Sequence, residues 1–335
     1  MSKNFNSLII GYGSVGSRHA KNLIKLGYKN ISVFRTFKNQ LNYAMPKTVK
    51  IFKNLKNLMN LQKFKLVIIA NPSSKHISHA IMAAKKKFNI YIEKPLSNNL
   101  KGIKQLKKLQ NKFKIKILVG FQLRYHPGLI LIKNLIKNKK LGKIYSVSSD
   151  VGEYLPMWHP NEDYKKSYAS NKKLGGGVIL TFIHEIDYLY WIFGEFKSVY
   201  ANGGRLTKLK MNVEDTVIGN IMTKDKVPIS LRMDYWRRPS TRTLNIVGEK
   251  GQIFWDYYKK ETIILFNNGK KIVKKLPSKW KRNDMFLKIL ENFITAIIYK
   301  KNTTISLDEG IYSLKIALLI KKSLLKSKKI LPHYK

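Results

Sequence analysis

Three glycines near the start of the chain are spaced to hold a phosphate group. The segment Gly11-Tyr-Gly13-Ser-Val-Gly16 follows an apolar run and opens an amphipathic stretch. In such a turn the first glycine permits a tight bend, the second lets the backbone approach a pyrophosphate, and the third lets the helix pack on the strand. The free amides of the helix N-terminus attract the anion. Dinucleotide binding by Gly11, Gly13, Ser14, Val15 and Gly16 is therefore predicted, with a purely structural turn as the alternative.

The end of the second predicted strand bears on the choice between NADP and NAD. A carboxylate about 20 residues after the glycines would accept a hydrogen bond from the ribose 2′-hydroxyl. The chain has no Asp or Glu before Glu93, and the strand ends in Val33-Phe34-Arg35-Thr36. Because Arg35 could pair with a 2′-phosphate and stack on adenine, NADP is the predicted cofactor. NAD stays the alternative, since abundant lysine makes any single basic residue less informative.

Polar residues follow two further predicted strands. Ala70-Asn-Pro-Ser-Ser-Lys-His76 follows one, and Glu93-Lys94 ends the next. Ligands of open α/β sheets bind at the carboxyl ends of the strands. The predicted cofactor contacts at these ends are Asn71, Pro72, His76, Glu93 and Lys94. A lysine that is partly desolvated beside a cationic nicotinamide could also exchange a proton or polarise a carbonyl, so Lys94 is a candidate catalytic group as well; the alternative is an ordinary surface Glu–Lys pair.

The elements that must position these residues alternate over the first part of the chain. The predicted strands are Ser7–Ile10, Ile31–Phe34, Leu66–Ala70, Ile90–Ile92 and Lys116–Gly120, and the predicted helices are Ser17–Leu26, Ser74–Lys86 and Leu100–Lys112. Strands that alternate with helices indicate βαβ units and a parallel sheet. Residues 1–121 are therefore predicted to form a doubly wound Rossmann domain.

After residue 122 the pattern changes to longer strands separated by turn signals. The predicted strands are Lys143–Val151, Ser198–Arg205, Thr216–Thr223, Pro228–Tyr235, Leu244–Gly248, Gly251–Tyr257, Thr262–Phe266 and Lys271–Leu276. The predicted helices are Pro127–Lys139, Val178–Phe193, Asp284–Tyr299 and Leu307–Ser327. This pattern predicts an α+β domain over residues 122–335 with a large, mainly antiparallel open sheet, whose C-terminal helix could pack back on the first domain.

Five motifs, in order, resemble the Gfo/Idh/MocA family of sugar and polyol oxidoreductases. They are Gly11–Gly16, Asn71-Pro72, Glu93-Lys94-Pro95, Arg124-Tyr125-His-Pro127, and Gly175-Gly-Gly177 followed by His184-Glu-Ile-Asp187. The closing segment Ile305-Ser-Leu-Asp-Glu-Gly310 is also similar to that family, so the resemblance covers nearly the whole chain. It implies that Lys94 is catalytic and that the open sheet makes dimer or tetramer contacts, so a homodimer or homotetramer is expected.

The family commonly has an aspartate four positions before the histidine that matches His184. Here the residue that matches this aspartate in order after the three glycines is Thr181, and it lies only three positions before the histidine. Residues i and i+3 share a helix face, so both can face a substrate, but threonine is no base near neutral pH. His184 is therefore the predicted proton acceptor, with Lys94 as its partner; the alternative is a core histidine capped by a neighbour.

Residues 152–168 are rich in Trp, Tyr, His and Pro, which suits a loop that stacks on sugar rings. The predicted substrate contacts are Arg124, Tyr125, Trp158, His159, Tyr168, Thr181 and His184. Arg124, and less directly Arg237 or Arg238, could bind an anionic group, which favours a sugar acid or nucleotide-sugar over a neutral polyol. A loop tied down by its own aromatic residues is the structural alternative. His159 with Glu162 or Asp163 lacks a confirming second cluster, so no metal site is predicted.

Composition limits the classes of function. Lys and Arg number 65 against 19 Asp and Glu, a formal net charge of +46, yet only 9 of the 65 are Arg. Phosphate and base readout favour arginine, and the lysines are spread along the chain, so no nucleic-acid partner is predicted. The absence of cysteine excludes disulfides, thiolate zinc sites and a cysteine nucleophile. No apolar run reaches about 18 residues and no signal-peptide pattern is present, so no membrane partner and a cytoplasmic location are expected.

Together these features predict an NAD(P)-dependent oxidoreductase. It would transfer a hydride between nicotinamide and a secondary alcohol or ketone of a sugar, sugar acid or nucleotide-sugar. Two alternatives stay open. One is a catalytically weak protein that senses NADP or a sugar, which Thr181 favours; the other is a basic nucleic-acid-binding protein.

Overall fold

The computed structural model describes residues 5–36, 43–158 and 163–332. These residues form two compact units. The first runs as far as Gln122 and also contains Lys281–Ile311, while the second contains Leu123–Trp280 and the chain from Tyr312 onward. The sequence predicts one second domain over residues 122–335, so the placement of Lys281–Ile311 corrects that boundary.

The first unit is built on a parallel sheet. Its described strands are β1 (Ser7–Ile10), β2 (Ile31–Phe34), β3 (Val49–Phe52), β4 (Leu66–Ile69), β5 (Asn89–Glu93) and β6 (Ile117–Gly120), in the order β3-β2-β1-β4-β5-β6. The helices that connect them are α1 (Ser14–Lys25), α2 (Leu55–Leu61), α3 (His76–Lys85) and α4 (Ile103–Phe113). Strands β1, β4 and β6 are buried along their whole length, which explains why they read as continuous apolar runs. This strand order confirms the Rossmann prediction.

The second unit is built on a mixed sheet that is mainly antiparallel. Its described strands are β7 (Ile144–Gly152), β8 (Phe196–Gly204), β9 (Thr216–Thr223), β10 (Pro228–Asp234), β11 (Thr241–Gly248), β12 (Gly251–Asp256), β13 (Glu261–Phe266) and β14 (Lys271–Lys275), in the order β14-β13-β12-β11-β7-β10-β9-β8. Only the β7–β10 pair among these is parallel. The helices that follow Leu123 are α5 (Pro127–Lys137), α6 (Val178–Thr181) and α7 (Ile183–Phe193).

The predicted helix over Val178–Phe193 is broken in the structure. Phe182 separates α6 from α7, with φ −94° and ψ 29°. Its ring lies 5.7 Å from that of Trp158 and 5.6 Å from that of Tyr235, measured between centroids. We attribute the break to this aromatic packing, which local helix propensity does not register.

Two helices close the chain, α8 (Arg282–Ile298) and α9 (Leu307–Lys326). Helix α8 belongs to the first unit because its aromatic side chains pack there. Phe286 lies under the guanidinium of Arg18 on α1, 4.5 Å from the ring centroid, and Phe293 meets Tyr91 on β5 at 6.1 Å. A pattern of apolar residues shows that a helix has a buried face but not which sheet buries it, so the sequence could not assign α8.

Truncating Phe286 tests this packing. Phe286 is almost fully buried, so Phe286→Ala should lower the free energy of unfolding by about 3–5 kcal/mol through lost burial and a residual cavity. Urea denaturation followed by circular dichroism measures it. In the control Leu325→Ala, the side chain is 85% exposed and the change should stay within about 0.5 kcal/mol. Equal losses in the two variants would contradict the assignment of α8.

Candidate functional site

The glycine turn forms a cradle that side chains would fill. Gly11 has φ +98°, and a Cβ placed on it would lie 2.8 Å from the amide nitrogen of Asn71. A Cβ on Gly16 would lie 2.1 Å from the carbonyl oxygen of Gly11. Helix α1 begins at Ser14 with Gly13 as its N-cap, and no side chain caps its first amides. The backbone here therefore fits the pyrophosphate of a dinucleotide, because the glycines leave room for it and no side chain caps the first amides of α1.

The end of β2 lies beside this turn. The amide of Arg35 donates to the carbonyl oxygen of Phe52 on β3 at 3.3 Å, which continues the strand pairing. Burial raises the pKa of Tyr12, and the positive charge of Arg35 opposes that rise. The Arg35 guanidinium is therefore close to a side chain of the glycine turn, on the side where a ribose would meet β2.

A histidine pair organises the turns that follow β4 and β5. The Nδ1 and Nε2 atoms of His76 lie 2.8 Å from the carbonyl oxygen of Pro95 and 2.7 Å from that of Asn71. His76 is 1% exposed, and burial lowers its pKa. Both ring nitrogens face main-chain oxygens, so His76 joins the two turns; its predicted contact with the cofactor stays a prediction.

Asn71 has a side-chain partner on α3. Its amide nitrogen donates to Nδ1 of His79 at 2.9 Å. Burial lowers the pKa of His79 to about 4, and the charge of Lys75 adds to that effect. His79 is therefore neutral at physiological pH, with its proton on Nε2, and the Asn71 amide is held in one orientation.

Glu93 is turned toward the helix that starts at the glycines. Its Oε1 atom lies 2.7 Å from Nε2 of His19 on α1, and both side chains are buried. Its Oε2 atom accepts a hydrogen bond from the amide of Lys94 at 3.3 Å. The carboxylate therefore helps to position Lys94, and the predicted contact of Glu93 with the cofactor stays a prediction. His19 was missed, although a histidine on the buried face of a phosphate-binding helix is a signal that could have identified it.

In the second unit, Thr181 is held by a buried tyrosine. The hydroxyl of Tyr235 donates to Oγ1 of Thr181 at 2.5 Å. Burial raises the pKa of Tyr235 well above its usual value, so this hydroxyl keeps its proton. The ring of Trp158 packs on Tyr235, 5.6 Å between centroids, and is half-buried there. Trp158 therefore belongs to the packing around Thr181, as the structural alternative for the loop expects.

The other loop residues are placed less centrally. Tyr168 is 38% exposed, and Tyr125 is half-buried in a short turn ahead of α5. His159 and Glu162 lie outside the described residues. Within the residues that the structure describes, no group of three or more His, Asp or Glu could hold a metal ion.

Helix α7 carries His184 in its first turn, followed by two buried acidic residues, Glu185 and Asp187. His184 is 4% exposed, and its neighbour Glu185 accepts a hydrogen bond from Nε of Arg242 at 2.7 Å. One turn further on, Asp187 accepts hydrogen bonds from Nε and Nη2 of Arg124, each at 2.8 Å. Each acid is thus neutralised by an arginine from another element, which fixes the helix that presents His184.

Arg124, a predicted substrate contact, is engaged inside the second unit. Its side chain is 3% exposed, and its guanidinium makes a bidentate contact with Asp187. Arg237 likewise pairs with Asp150 and Asp234. Asp187 and Asp150 are distant in sequence from the arginines that they bind, so residue spacing gave no warning of them, whereas Asp234 lies only three residues before Arg237. Of the three arginines, only Arg238 is exposed, with its guanidinium 4.2 Å above the ring of Tyr154.

A carboxylate that the sequence did not single out lies at the end of β7. Oε1 of Glu153 is 3.9 Å from Nη2 of Arg242, whose guanidinium also lies 5.8 Å from the ring of Phe182. Burial, and after it the charge of Glu153, raise the pKa of Tyr258, which hydrogen-bonds to Glu153. Glu153 is thus part of the side-chain cluster at the break between α6 and α7.

No helix among the described residues is long and apolar enough to cross a membrane. Comparison with known proteins identifies both parts of the chain. The family profile described as "Oxidoreductase family, NAD-binding Rossmann fold" matches residues 5–121, and the profile of the "GFO/IDH/MocA C-terminal domain" matches residues 130–254. Among curated proteins, the chain is 24% identical to a myo-inositol 2-dehydrogenase of Thermotoga maritima, over 94% of this chain and 95% of that protein.

Solved structures share the fold over almost the whole length. Levoglucosan dehydrogenase in complex with NADH and levoglucosan has a TM-score of 0.87 at 20% identity, covering 98% of this chain and 100% of that one. The WlbA dehydrogenase of Bordetella pertussis, in complex with NADH and UDP-GlcNAcA, has a TM-score of 0.80 at 19% identity, covering 99% and 100%. With both profiles matched in order along one chain, the protein belongs to the Gfo/Idh/MocA family of oxidoreductases with an NAD-binding Rossmann domain.

Proposed function

We propose that the protein transfers a hydride between a nicotinamide cofactor and a secondary alcohol or ketone of a carbohydrate. The observation that carries this proposal is the linkage between the glycine cradle and Lys94. Helix α1 begins at the cradle and carries His19, whose contact with Glu93 sets the turn that presents Lys94. The buried contact between α1 and the end of β5 thereby joins the phosphate-binding turn to the turn that carries Lys94, a candidate proton-transfer group.

The chain's own residues have separate tasks in this mechanism. The bound nicotinamide supplies the hydride chemistry. The amides at Ser14 and its neighbours hold the pyrophosphate, and the side chain of Lys94 stabilises the developing charge on the substrate oxygen. His184 accepts the proton of the substrate hydroxyl. Hydrogen bonds from Arg242 to Glu185 and from Arg124 to Asp187 offset the cost of burying these two carboxylates. They also hold the helix that carries His184 in place while the proton moves.

A catalytically weak sensor of the cofactor or a sugar is the second candidate. It is favoured by Thr181, which stands where the family commonly has an acid and whose hydroxyl is engaged with Tyr235. Single-turnover reduction of bound cofactor by a panel of sugars separates the two candidates. A protein that binds cofactor and sugar but transfers no hydride would be the sensor.

We also propose that Arg35 selects NADP. Replacing Arg35 with aspartate should weaken NADPH binding more than NADH binding, by about 1–3 kcal/mol, because a charge-assisted pair with the 2′-phosphate is lost. Fluorescence titration of the reduced cofactors measures both affinities. Lys29→Asp, an exposed position before β2 with the same change of charge, is the control and should affect the two cofactors alike. Equal losses for both cofactors in Arg35→Asp would contradict the proposal.

The roles of Lys94 and His184 are tested by alanine variants. Lys94→Ala should keep NAD(P)H affinity within a few-fold and lower turnover by about 10²–10⁴, the usual contribution of a positioned acid–base group. His184→Ala should behave in the same way. Steady-state kinetics and cofactor titration supply the two readouts, with exposed Lys101→Ala as the control. Wild-type turnover in either variant would remove that residue from the mechanism.

A further inference from the structure

We infer that the Glu153 carboxylate binds hydroxyl groups of an uncharged sugar or polyol ring. This inference rests on the proposed function, since it names the substrate class of that same enzyme. The amide of Glu153 donates to the carbonyl oxygen of Asp234 at 3.1 Å, so pairing between β7 and β10 continues one residue past Gly152. Glu153 therefore stands at the carboxyl end of the only parallel strand pair among the described strands of this sheet.

The register places the Glu153 side chain on the face that the helices cover. Alternate residues of β7, among them Ser149 and Val151, are buried on that face, and Oγ of Ser149 lies 2.6 Å from the hydroxyl oxygen of Tyr188 on α7. Side chains two residues apart share a face of a strand. Glu153 is the next member of this row, and its side chain is 23% exposed where its predecessors are buried. The row thus ends in a carboxylate that solvent can reach.

A chain of contacts places that carboxylate in the Thr181 cluster. Arg242 lies 3.9 Å from Glu153 and 5.8 Å from the ring of Phe182, which packs on Tyr235 at 5.6 Å between centroids. Tyr235 in turn donates its hydroxyl to Thr181. Glu153 follows β7 and Thr181 ends α6, yet both belong to the same side-chain cluster. Thr181 is the residue that stands where the family commonly has an acid.

The charges around Glu153 favour an uncharged ring. Arg242 is committed to Glu185 at 2.7 Å, and its 3.9 Å separation from Glu153 is longer than a hydrogen bond. A carboxylate has several acceptor positions, so it can take a substrate hydroxyl, or two vicinal ones, in addition to Tyr258. A sugar carboxylate in the same place would be repelled, and Arg124 and Arg237 are already bound to internal acids.

The test compares binding of neutral and anionic rings to four proteins: the wild type, two Glu153 variants and one control variant. The probes are myo-inositol and D-glucose, their monodeoxy analogues, and D-glucuronate, each titrated by calorimetry into the NADH-loaded chain. The variants are Glu153→Gln, which keeps the side-chain shape, and Glu153→Ala. The control is Glu195→Gln, because Glu195 is paired with Lys224 on the surface and is 40% exposed.

The wild type and Glu195→Gln should bind at least one neutral ring, and bind glucuronate more weakly. The Glu153 variants should bind that ring about 10- to 100-fold more weakly, as expected for a hydrogen bond to a charged group. One monodeoxy analogue should lose affinity for the wild type but not for Glu153→Ala, because the missing hydroxyl is the one that Glu153 holds. Glu153→Gln keeps an amide oxygen that can accept from that hydroxyl, so this variant tests the charge. NADH affinity within a few-fold of wild type shows that the variants are folded.

The inference would be overturned if no neutral probe binds the wild type, if glucuronate binds more tightly than glucose, or if every deoxy penalty persists in Glu153→Ala. Loss of NADH binding in both Glu153 variants would also overturn it, since Glu153 would then serve the fold. Neutral-ring binding with the expected deoxy pattern, but without reduction of NAD⁺ or NADP⁺ by any probe, would overturn the proposed function and leave the role of Glu153 standing.

Discussion

The buried contact between His19 and Glu93 ties together the parts of the first unit on which function depends. Two polar side chains lie within the core of a Rossmann sheet, joined at 2.7 Å. Removing one partner of such a pair leaves an uncompensated polar group, although the intact pair adds little stability compared with apolar packing. Its value is therefore geometric. It fixes the rotation of α1, and hence the glycine cradle, relative to the strand end that presents Lys94.

The second unit uses the same device twice. Glu185 and Asp187 are buried on α7, and each is matched by an arginine from another element, Arg242 and Arg124. Arg124 and Asp187 bind each other through two hydrogen bonds, which fixes their relative orientation, while Arg242 reaches Glu185 through Nε at 2.7 Å. The helix that carries His184 is consequently oriented by directional contacts on both sides, whereas apolar packing alone would allow it to rotate.

This use of arginine changes the view of the substrate. A chain with a net charge of +46 suggests cationic forks for an anionic ligand. In the structure the buried arginines Arg124 and Arg242 pair with buried acids, while many lysines lie on the surface. In the cluster around Thr181, solvent can reach the negative charge of Glu153, whose side chain is 23% exposed. Net charge therefore describes the solvated surface of this protein and says little about the lining of its candidate site.

Sequence alone determined the features that depend on local spacing. The glycine turn, the alternation of strands and helices, the Rossmann assignment and the family all followed from short motifs whose physics is contained within a few residues. The half-buried edge strand Val49–Phe52 and the short helix Leu55–Leu61 were missed, because neither carries a long periodic apolar pattern.

Only the tertiary structure decided which side chains meet. Arg124 and Asp187 are 63 residues apart in the chain, and His19 and Glu93 are 74 apart, so no motif could pair them. The break at Phe182 and the return of α8 to the first unit depend on aromatic side chains from distant segments. The sequence specified which groups are available for chemistry, while burial decided which of them bind one another and which, like Glu153, stay accessible. The physical reason is that an ion pair or ring contact depends on distance in space, which the fold sets and chain spacing does not.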